Sequence, residues 1–298
     1  MMIYENILQT IGSTPLVSLD QMHENKNVKI FAKIEGVNPG GSIKDRIALK
    51  MIEQAENEGV LTKGKTIIEA TSGNTGISLS MIAAIKGYKA EIVMSSAVSE
   101  ERKAMIRSFG AKVTLTDSKK GTDGAILKVK ELIAQYPHKY FCTDQFTNKY
   151  NKIAHYETTS QEIWRQTNGK IDYFVAAIGT SGTLMGVGKG LKKHNKNIKV
   201  VSAEPVQGHY IQGLKNMQEA IVPAIYQKEY LDDIIKIETE EAFSVARKII
   251  KQQGIFVGMS SGAAMLAAIK ISQKIEKGNI VTIFPDRGEK YLSTSFFQ

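Results

Sequence analysis

Asn38-Pro39-Gly40-Gly41-Ser42-Ile43-Lys44-Asp45-Arg46 is the stretch on which the fold turns. Proline followed by two glycines makes a tight turn. Ile47, Ala48, Met51, Ile52 and Ala55 then recur at helical spacing, so a helix follows and Lys44 sits in its first turn. The unpaired N–H groups of that turn favour negative charge and disfavour an ammonium. Such a placement can lower the pKa of a lysine, and the neutral amine is the form that condenses with a carbonyl. The competing reading is a surface lysine beside Asp45, and the loops farther along the chain decide between the two.

Working outward, residues 29–35 read as a strand before the turn, and Gly59 ends the helix after it. Strands and helices then alternate. Strands are expected at 66–69, 90–94, 112–115 and 140–142, and helices at 75–86, 99–109 and 123–135. A long amphipathic helix runs through His155, Ile163 and Trp164. The second half repeats the pattern, with strands at 173–177, 199–204, 234–237 and 280–284 and helices at 183–193, 239–253 and 263–275. Residues 208–233 are irregular and long enough to be a functional loop. This order predicts an α/β fold of parallel sheets with helices on both faces. Ligands in such folds bind beyond the carboxyl ends of the strands.

Three strand-to-helix or helix-entry loops are rich in Gly, Ser and Thr. Thr71-Ser72-Gly73-Asn74-Thr75-Gly76 offers hydroxyls, an amide and backbone N–H groups at a helix start, which suits a substrate carboxylate or simply caps a helix. Gly179-Thr180-Ser181-Gly182-Thr183 suits a phosphate cradle or, again, a cap. It lacks the Gly-Lys-Ser/Thr of a P-loop, and Gly186, Gly188 and Gly190 do not make a clean dinucleotide fingerprint. Gly258-Met259-Ser260-Ser261-Gly262 places a serine hydroxyl at a third helix start. A lysine at a helix entrance, a carboxylate loop, a phosphate loop and a serine loop together make the set for a phosphorylated aldehyde held on an amine, which is pyridoxal 5′-phosphate.

Composition bounds the rest. A chain of 298 residues suggests about two domains, and 42% hydrophobic residues suffice for their cores. Lys, Gly and Ser interrupt every long apolar run, so no membrane span is expected, and the N-terminus lacks the apolar region of a secretory signal. Cys142 is the single cysteine and the five histidines are scattered, which excludes an internal disulfide and argues against a metal site. A cytoplasmic location fits. The net charge of +9 admits nucleic acid or mere solubility; the densest basic run, 189–196, has no interleaved aromatics and reads as an exposed helix end, so no nucleic-acid partner is expected.

Asn-Pro-Gly-Gly-Ser-Ile-Lys-Asp-Arg and Thr-Ser-Gly-Asn-Thr-Gly, with Ile11-Gly12-Ser13-Thr14-Pro15-Leu16 near one end and Asp286-Arg287-Gly288-Glu289-Lys290-Tyr291-Leu292-Ser293-Thr294 near the other, resemble the cysteine synthase (O-acetylserine sulfhydrylase) and cystathionine β-synthase family of fold-type II pyridoxal-phosphate enzymes. The tail is closer to the B-type isozyme. The resemblance implies a tryptophan synthase β-like fold with the cofactor in an interdomain cleft. It implies an N-terminal domain at 38–150, with a mobile part at about 90–135, and a C-terminal domain built from 1–37 and 151–298. It also implies a homodimer. By matching motif, Lys44 is the Schiff-base lysine and Asn74 bonds the cofactor's ring oxygen. Gly179, Thr180, Ser181, Gly182 and Thr183 hold the phosphate, and Ser260 faces the pyridine nitrogen. Thr71, Ser72, Asn74 and Thr75, with Gln145, receive the substrate carboxylate.

The implied activity is β-replacement through an α-aminoacrylate, making cysteine from O-acetylserine and sulfide. The alternative is cysteine-consuming, hydrogen sulfide-releasing replacement that yields serine, lanthionine or cystathionine. Residues 213–223 depart from the A-type pattern Gly-Ile-Gly-Ala-Gly-Phe-Ile-Pro, which bears on the second-substrate pocket and on docking to serine acetyltransferase. Lys215 stands where B-type enzymes carry paired arginines, and Ser95-Ser96 replaces the usual Pro-Glu. A silent binding protein and a nicotinamide dehydrogenase are the readings from other classes; intact Lys44 and Asn74 argue against the first, and the missing fingerprint against the second.

Overall fold

A computed structural model of the chain describes residues 3–71 and 73–297; Ser72 lies outside the described residues. In chain order the main elements are β1 (Leu16–Ser18), β2 (Val28–Ile34), α1 (Lys44–Asn57), β3 (Thr66–Ala70), α2 (Asn74–Lys86), β4 (Lys89–Ser95), α3 (Glu100–Ser108), β5 (Lys112–Thr116), α4 (Gly121–Gln135) and β6 (Tyr140–Cys142). They continue with α5 (Lys149–Ala154), α6 (Ser160–Gln166), β7 (Tyr173–Ala177), α7 (Gly182–His194), β8 (Lys199–Pro205), β9 (Asp233–Ile237), α8 (Thr239–Gln253), α9 (Met259–Ser272) and β10 (Gly278–Phe284). One π-helical turn, His155–Thr159, joins α5 to α6. Helices cover both faces of the sheets.

The chain forms two compact units. The first comprises Met1–Ile11, Asn38–Asn151 and Lys290–Gln298; the second comprises Gly12–Val37 and Lys152–Glu289. The start of the chain and its tail, expected with the C-terminal domain, therefore belong with the N-terminal one. The tail is tied there by hydrogen bonds: Lys290 Nζ donates to the carbonyls of Gly40 and Gly41, and Ser293 N donates to Glu101.

The first unit holds a parallel sheet in the order β5-β4-β3-β6. All five residues of β3 are buried, which follows from helices on both sides. Successive side chains serve opposite cores. Ile67 joins Ile52, Ile77, Ile82, Ile92 and Ile106 on one side, while Ile68 and Ala70 join Val93, Ala125 and Val129 on the other. Each fully buried isoleucine stabilises the unit by about 2 kcal/mol. Gly76 lets α2 approach β4: a Cβ there would lie 2.7 Å from Ile92 Cγ2.

The second unit holds a six-stranded sheet in the order β1-β2-β10-β7-β8-β9. The ladders are parallel except that β1 runs antiparallel to β2. The connection from β1 to β2 is too short for a crossover helix, and a short return yields an antiparallel pair. α9 begins at Met259, four residues before the expected start. Its opening Ser and Gly residues look loop-forming, yet they are the small side chains that packing against α8 requires: a Cβ on Gly262 would sit 2.0 Å from the Ala242 carbonyl oxygen.

Each sheet has one place that matters for ligands. In the first unit the chain leaves β3 for β4 on one side, while β6 lies on the other. In the second, β7 leads to β8 on one side and β10 lies on the other. At such reversals of strand order the loops diverge and leave a crevice beyond the carboxyl ends. The loops after β3 and β6 flank the first crevice, and the loops after β7 and β10 flank the second.

Candidate active site

Lys44 is the first residue of α1, and its backbone N–H donates to Ser42 Oγ at 3.2 Å. The turn before it is closed by Gly41 N–H donating to the Asn38 carbonyl at 2.7 Å, with Gly41 at φ +75°. The Asp45 carboxylate reaches back to accept the Gly40 N–H at 2.6 Å and also accepts from the Ser78 hydroxyl on α2. Asp45 is buried, and its carboxylate fixes the turn from which the half-buried Lys44 begins the helix.

Thr71, Gly73, Asn74 and Thr75 lie in the loop after β3 and the start of α2. Gly73 N–H donates to Thr71 Oγ1 at 3.1 Å, and Gly73 has φ +135°, which only glycine adopts readily. A Cβ there would lie 2.3 Å from Arg102 Cδ, so Arg102 of α3 backs this loop directly. Asn74 Oδ1 accepts from Lys290 Nζ at 3.2 Å.

Gln145, on the loop after β6, lies beside this loop as the strand order requires. Thr75 Oγ1 donates to Gln145 Oε1 at 2.7 Å, and Gln145 Nε2 donates to the Ala70 carbonyl at 3.1 Å. Its Nε2 and backbone N–H also face the Glu69 carboxyl, at 3.3 and 3.4 Å. Thr143 Oγ1 bonds the same carboxyl. Glu69 is buried, and that burial pushes its carboxyl up to about 8 against the pull of Thr143 and Gln145. A neutral acid therefore underlies the carboxylate-type loop at pH 7. Burial, and then the neighbouring Glu69, also raises the Cys142 thiol, which keeps it an inert core group.

In the second unit, Gly179, Thr180, Ser181, Gly182 and Thr183 form the loop after β7 and the first turn of α7. Ser181 holds the left-handed conformation at φ +70° at the helix entrance. Its Oγ is buried and has no hydrogen-bond partner among the described residues. A buried hydroxyl left unbonded beside helix N–H groups is a place for an anion. A Cβ on Gly179 would fall 2.4 Å from the Gly213 carbonyl oxygen, so the irregular stretch after β8 closes on this loop and demands glycine. Lys215 N–H donates to the Ile178 carbonyl in the same contact.

Ser260 is buried in the first turn of α9, whose N-cap is Gly258. The loop before it is bonded to the loop after β10: Gly288 N–H donates to the Phe256 carbonyl at 2.9 Å, and Val257 bridges Arg287. The serine loop and the 179–183 loop therefore flank the same reversal of strand order.

No local sequence signal marks Glu69, Lys290, Arg102 or His155 as functional. His155 Nε2 lies 3.3 Å from Thr183 Oγ1 and Nδ1 lies 3.0 Å from Thr159 Oγ1, an arrangement made in the π-helical turn. Such turns recur at functional sites, but no local sequence signal marks this one. Ser99 stands at the N-cap of α3, a place where serine commonly caps, yet its hydroxyl donates to the Lys290 carbonyl at 2.7 Å rather than capping the helix.

Residues 7–286 match a family described as "Pyridoxal-phosphate dependent enzyme". A cysteine synthase of Aquifex aeolicus is 50% identical over 98% of this chain and 92% of its own length. Cysteine synthase B of Escherichia coli is 40% identical over 97% of this chain and 95% of its own length. The crystal structure of O-acetyl serine sulfhydrylase isoform 3 from Entamoeba histolytica superimposes with a TM-score of 0.92 at 47% identity, covering 99% of this chain and 92% of that one.

Proposed function

We propose, for a chain that belongs to the cysteine synthase family of pyridoxal-phosphate dependent enzymes, that it makes cysteine from O-acetylserine and sulfide, with Lys44 as the residue that binds the cofactor covalently and moves the substrate's proton. The observation that carries this reading is the placement of Lys44 at the start of α1 on a turn locked by Asp45, with Asn74 joined to the same turn through Lys290.

The residues fit the cofactor. The unbonded, buried Ser181 hydroxyl and the α7 entrance suit its phosphate. Gly179 leaves space that a side chain would fill. When bound, pyridoxal 5′-phosphate supplies an electron sink for the α-carbon. Everything else falls to the protein. Residues 179–183 hold the phosphate and so fix the register of the ring. Asn74 donates to the ring oxygen. Thr71, Ser72, Asn74, Thr75 and Gln145 receive the substrate carboxylate and orient the amino acid. Lys44 Nζ takes the α-proton and later returns it. Ser260 faces the ring nitrogen with a hydroxyl far too weak an acid to protonate it. By leaving the ring nitrogen unprotonated, Ser260 would favour prompt loss of acetate from the substrate. Closure of residues 90–135 keeps water from the reacting carbon.

We also propose a homodimer in a reducing cytoplasm. Exposed Ile3, Tyr4, Ile7 and Ile85 on the first unit support self-association, and the single cysteine suits that compartment. The test is purified protein supplied with cofactor, O-acetylserine and sulfide. Cysteine formation that Lys44→Ala abolishes is the expected result. No cysteine from cofactor-loaded protein, with sulfide released from cysteine instead, overturns the assignment of direction; turnover by Lys44→Ala overturns the role of Lys44.

A further inference from the structure

Lys290 presents a charged group where none is needed for solubility. It is 1% exposed. Its ammonium donates to the Gly41 carbonyl at 2.8 Å, the Gly40 carbonyl at 3.0 Å and Asn74 Oδ1 at 3.2 Å. A buried ammonium is retained only where its N–H groups are bonded, and each of these acceptors belongs to an element that carries a site residue. Gly40 and Gly41 form the turn that launches Lys44. Asn74 begins α2.

The bond to Asn74 has a directional consequence. An ammonium has three donors and no acceptor, so only the oxygen of the amide can face it. The amide nitrogen is thereby turned the other way. Asn74 is the residue assigned to the cofactor's ring oxygen, an acceptor that needs an N–H and is repelled by a carbonyl. The tail backbone is itself fixed beside this contact. The Lys290 carbonyl accepts from Ser99 Oγ, and the next residue, Tyr291, meets the Arg102 guanidinium both at its hydroxyl and over its ring, 4.3 Å from the centroid. Gly41 is matched to the same group: a Cβ at that position would lie 3.1 Å from Lys290 Nζ.

We propose that Lys290 is a positioning residue for the cofactor, fixing the Asn74 amide with its nitrogen toward the ring oxygen while holding the turn that aims Lys44. This rests on the proposal that pyridoxal 5′-phosphate binds Lys44 and Asn74. The experiment compares wild type, Lys290→Met, Lys290→Arg, Asn74→Ala, Asn74→Asp and the Lys290→Met/Asn74→Ala pair. It reads the apparent Kd for pyridoxal 5′-phosphate added to cofactor-free protein and the visible band of the loaded protein. Lys290→Met is expected to weaken binding roughly tenfold, the scale of one charged hydrogen bond, and to shift the band. Asn74→Ala adds little further loss on that background, and Lys290→Arg restores most of both signals. Asn74→Asp, which keeps an oxygen toward Lys290 but has no N–H for the ring, shifts the band in the same way, and Lys290→Gln replaces Lys290→Met if that variant does not fold. Losses that multiply in the pair overturn the proposal, as does an unshifted band in the Lys290 variant; an unshifted band in Asn74→Asp refutes the role given to Asn74 instead. A wild-type protein that develops no visible band with the cofactor refutes the underlying reading instead.

Discussion

Glu69→Gln isolates the neutral carboxyl beneath Gln145. Glu69 is buried, and burial raises its carboxyl from 4.5 to about 8. An acid whose pKa is higher in the folded chain binds its proton more tightly when folded. Its contribution to stability is therefore whole at low pH and is lost as the pH rises from 4.5 toward about 8. At about 1.4 kcal/mol per pH unit, the whole loss is roughly 5 kcal/mol. Of this, roughly 3 kcal/mol falls between about pH 6 and about pH 9. Glutamine keeps the shape and carries no charge at any pH, so subtracting the variant's unfolding free energy from that of wild type leaves the part due to ionisation. Urea unfolding of cofactor-free protein across that range is the assay. Wild type is expected to lose ground steadily against Glu69→Gln up to about pH 8 and then run parallel to it. Parallel curves throughout would refute the claim that Glu69 is a neutral acid in the folded protein.

Other expectations follow from single contacts. Gly179→Ala places a Cβ 2.4 Å from the Gly213 carbonyl oxygen. It should weaken cofactor binding at least tenfold, seen as a raised apparent Kd, because the loop must shift to admit the methyl group; unchanged affinity would show that the loop yields freely. Gly262→Ala drives a methyl group into the Ala242 carbonyl at 2.0 Å. It should cost about 2 kcal/mol or more through α8–α9 overpacking, measured as a lowered Tm; an unchanged Tm counts against that close packing. Ser260→Asp should favour a protonated ring and slow acetate release from O-acetylserine in stopped-flow traces; equal or faster release contradicts the role given to an uncharged hydroxyl.

The alternation of strands and helices was legible because each element carries its own signal. α8 matches its expected span, with an acidic first turn and Gly254 just beyond its end. The Gly, Ser and Thr loops were legible because α/β folds put such residues at strand-to-helix turns. The placement of the tail was not legible, because it depends on what Lys290 and Ser293 touch about 190 to 250 positions away rather than on neighbouring residues. Glu69 reads in sequence as a polar residue in a strand; only burial makes it a neutral acid. Gly262 reads as a loop residue because local propensity favours that, and the demand of α8 for a bare backbone overrides it. Ser99 shows the same override at a helix cap, where the tail carbonyl claims the hydroxyl.

The central claim is that Lys44 holds the cofactor, and it can be read at a single residue. Protein loaded with pyridoxal 5′-phosphate, reduced with borohydride, digested and sequenced by mass spectrometry should carry the phosphopyridoxyl group on the peptide containing Lys44 and on no other lysine. The label on a different lysine, or no label on a protein that has taken up cofactor, would contradict the account.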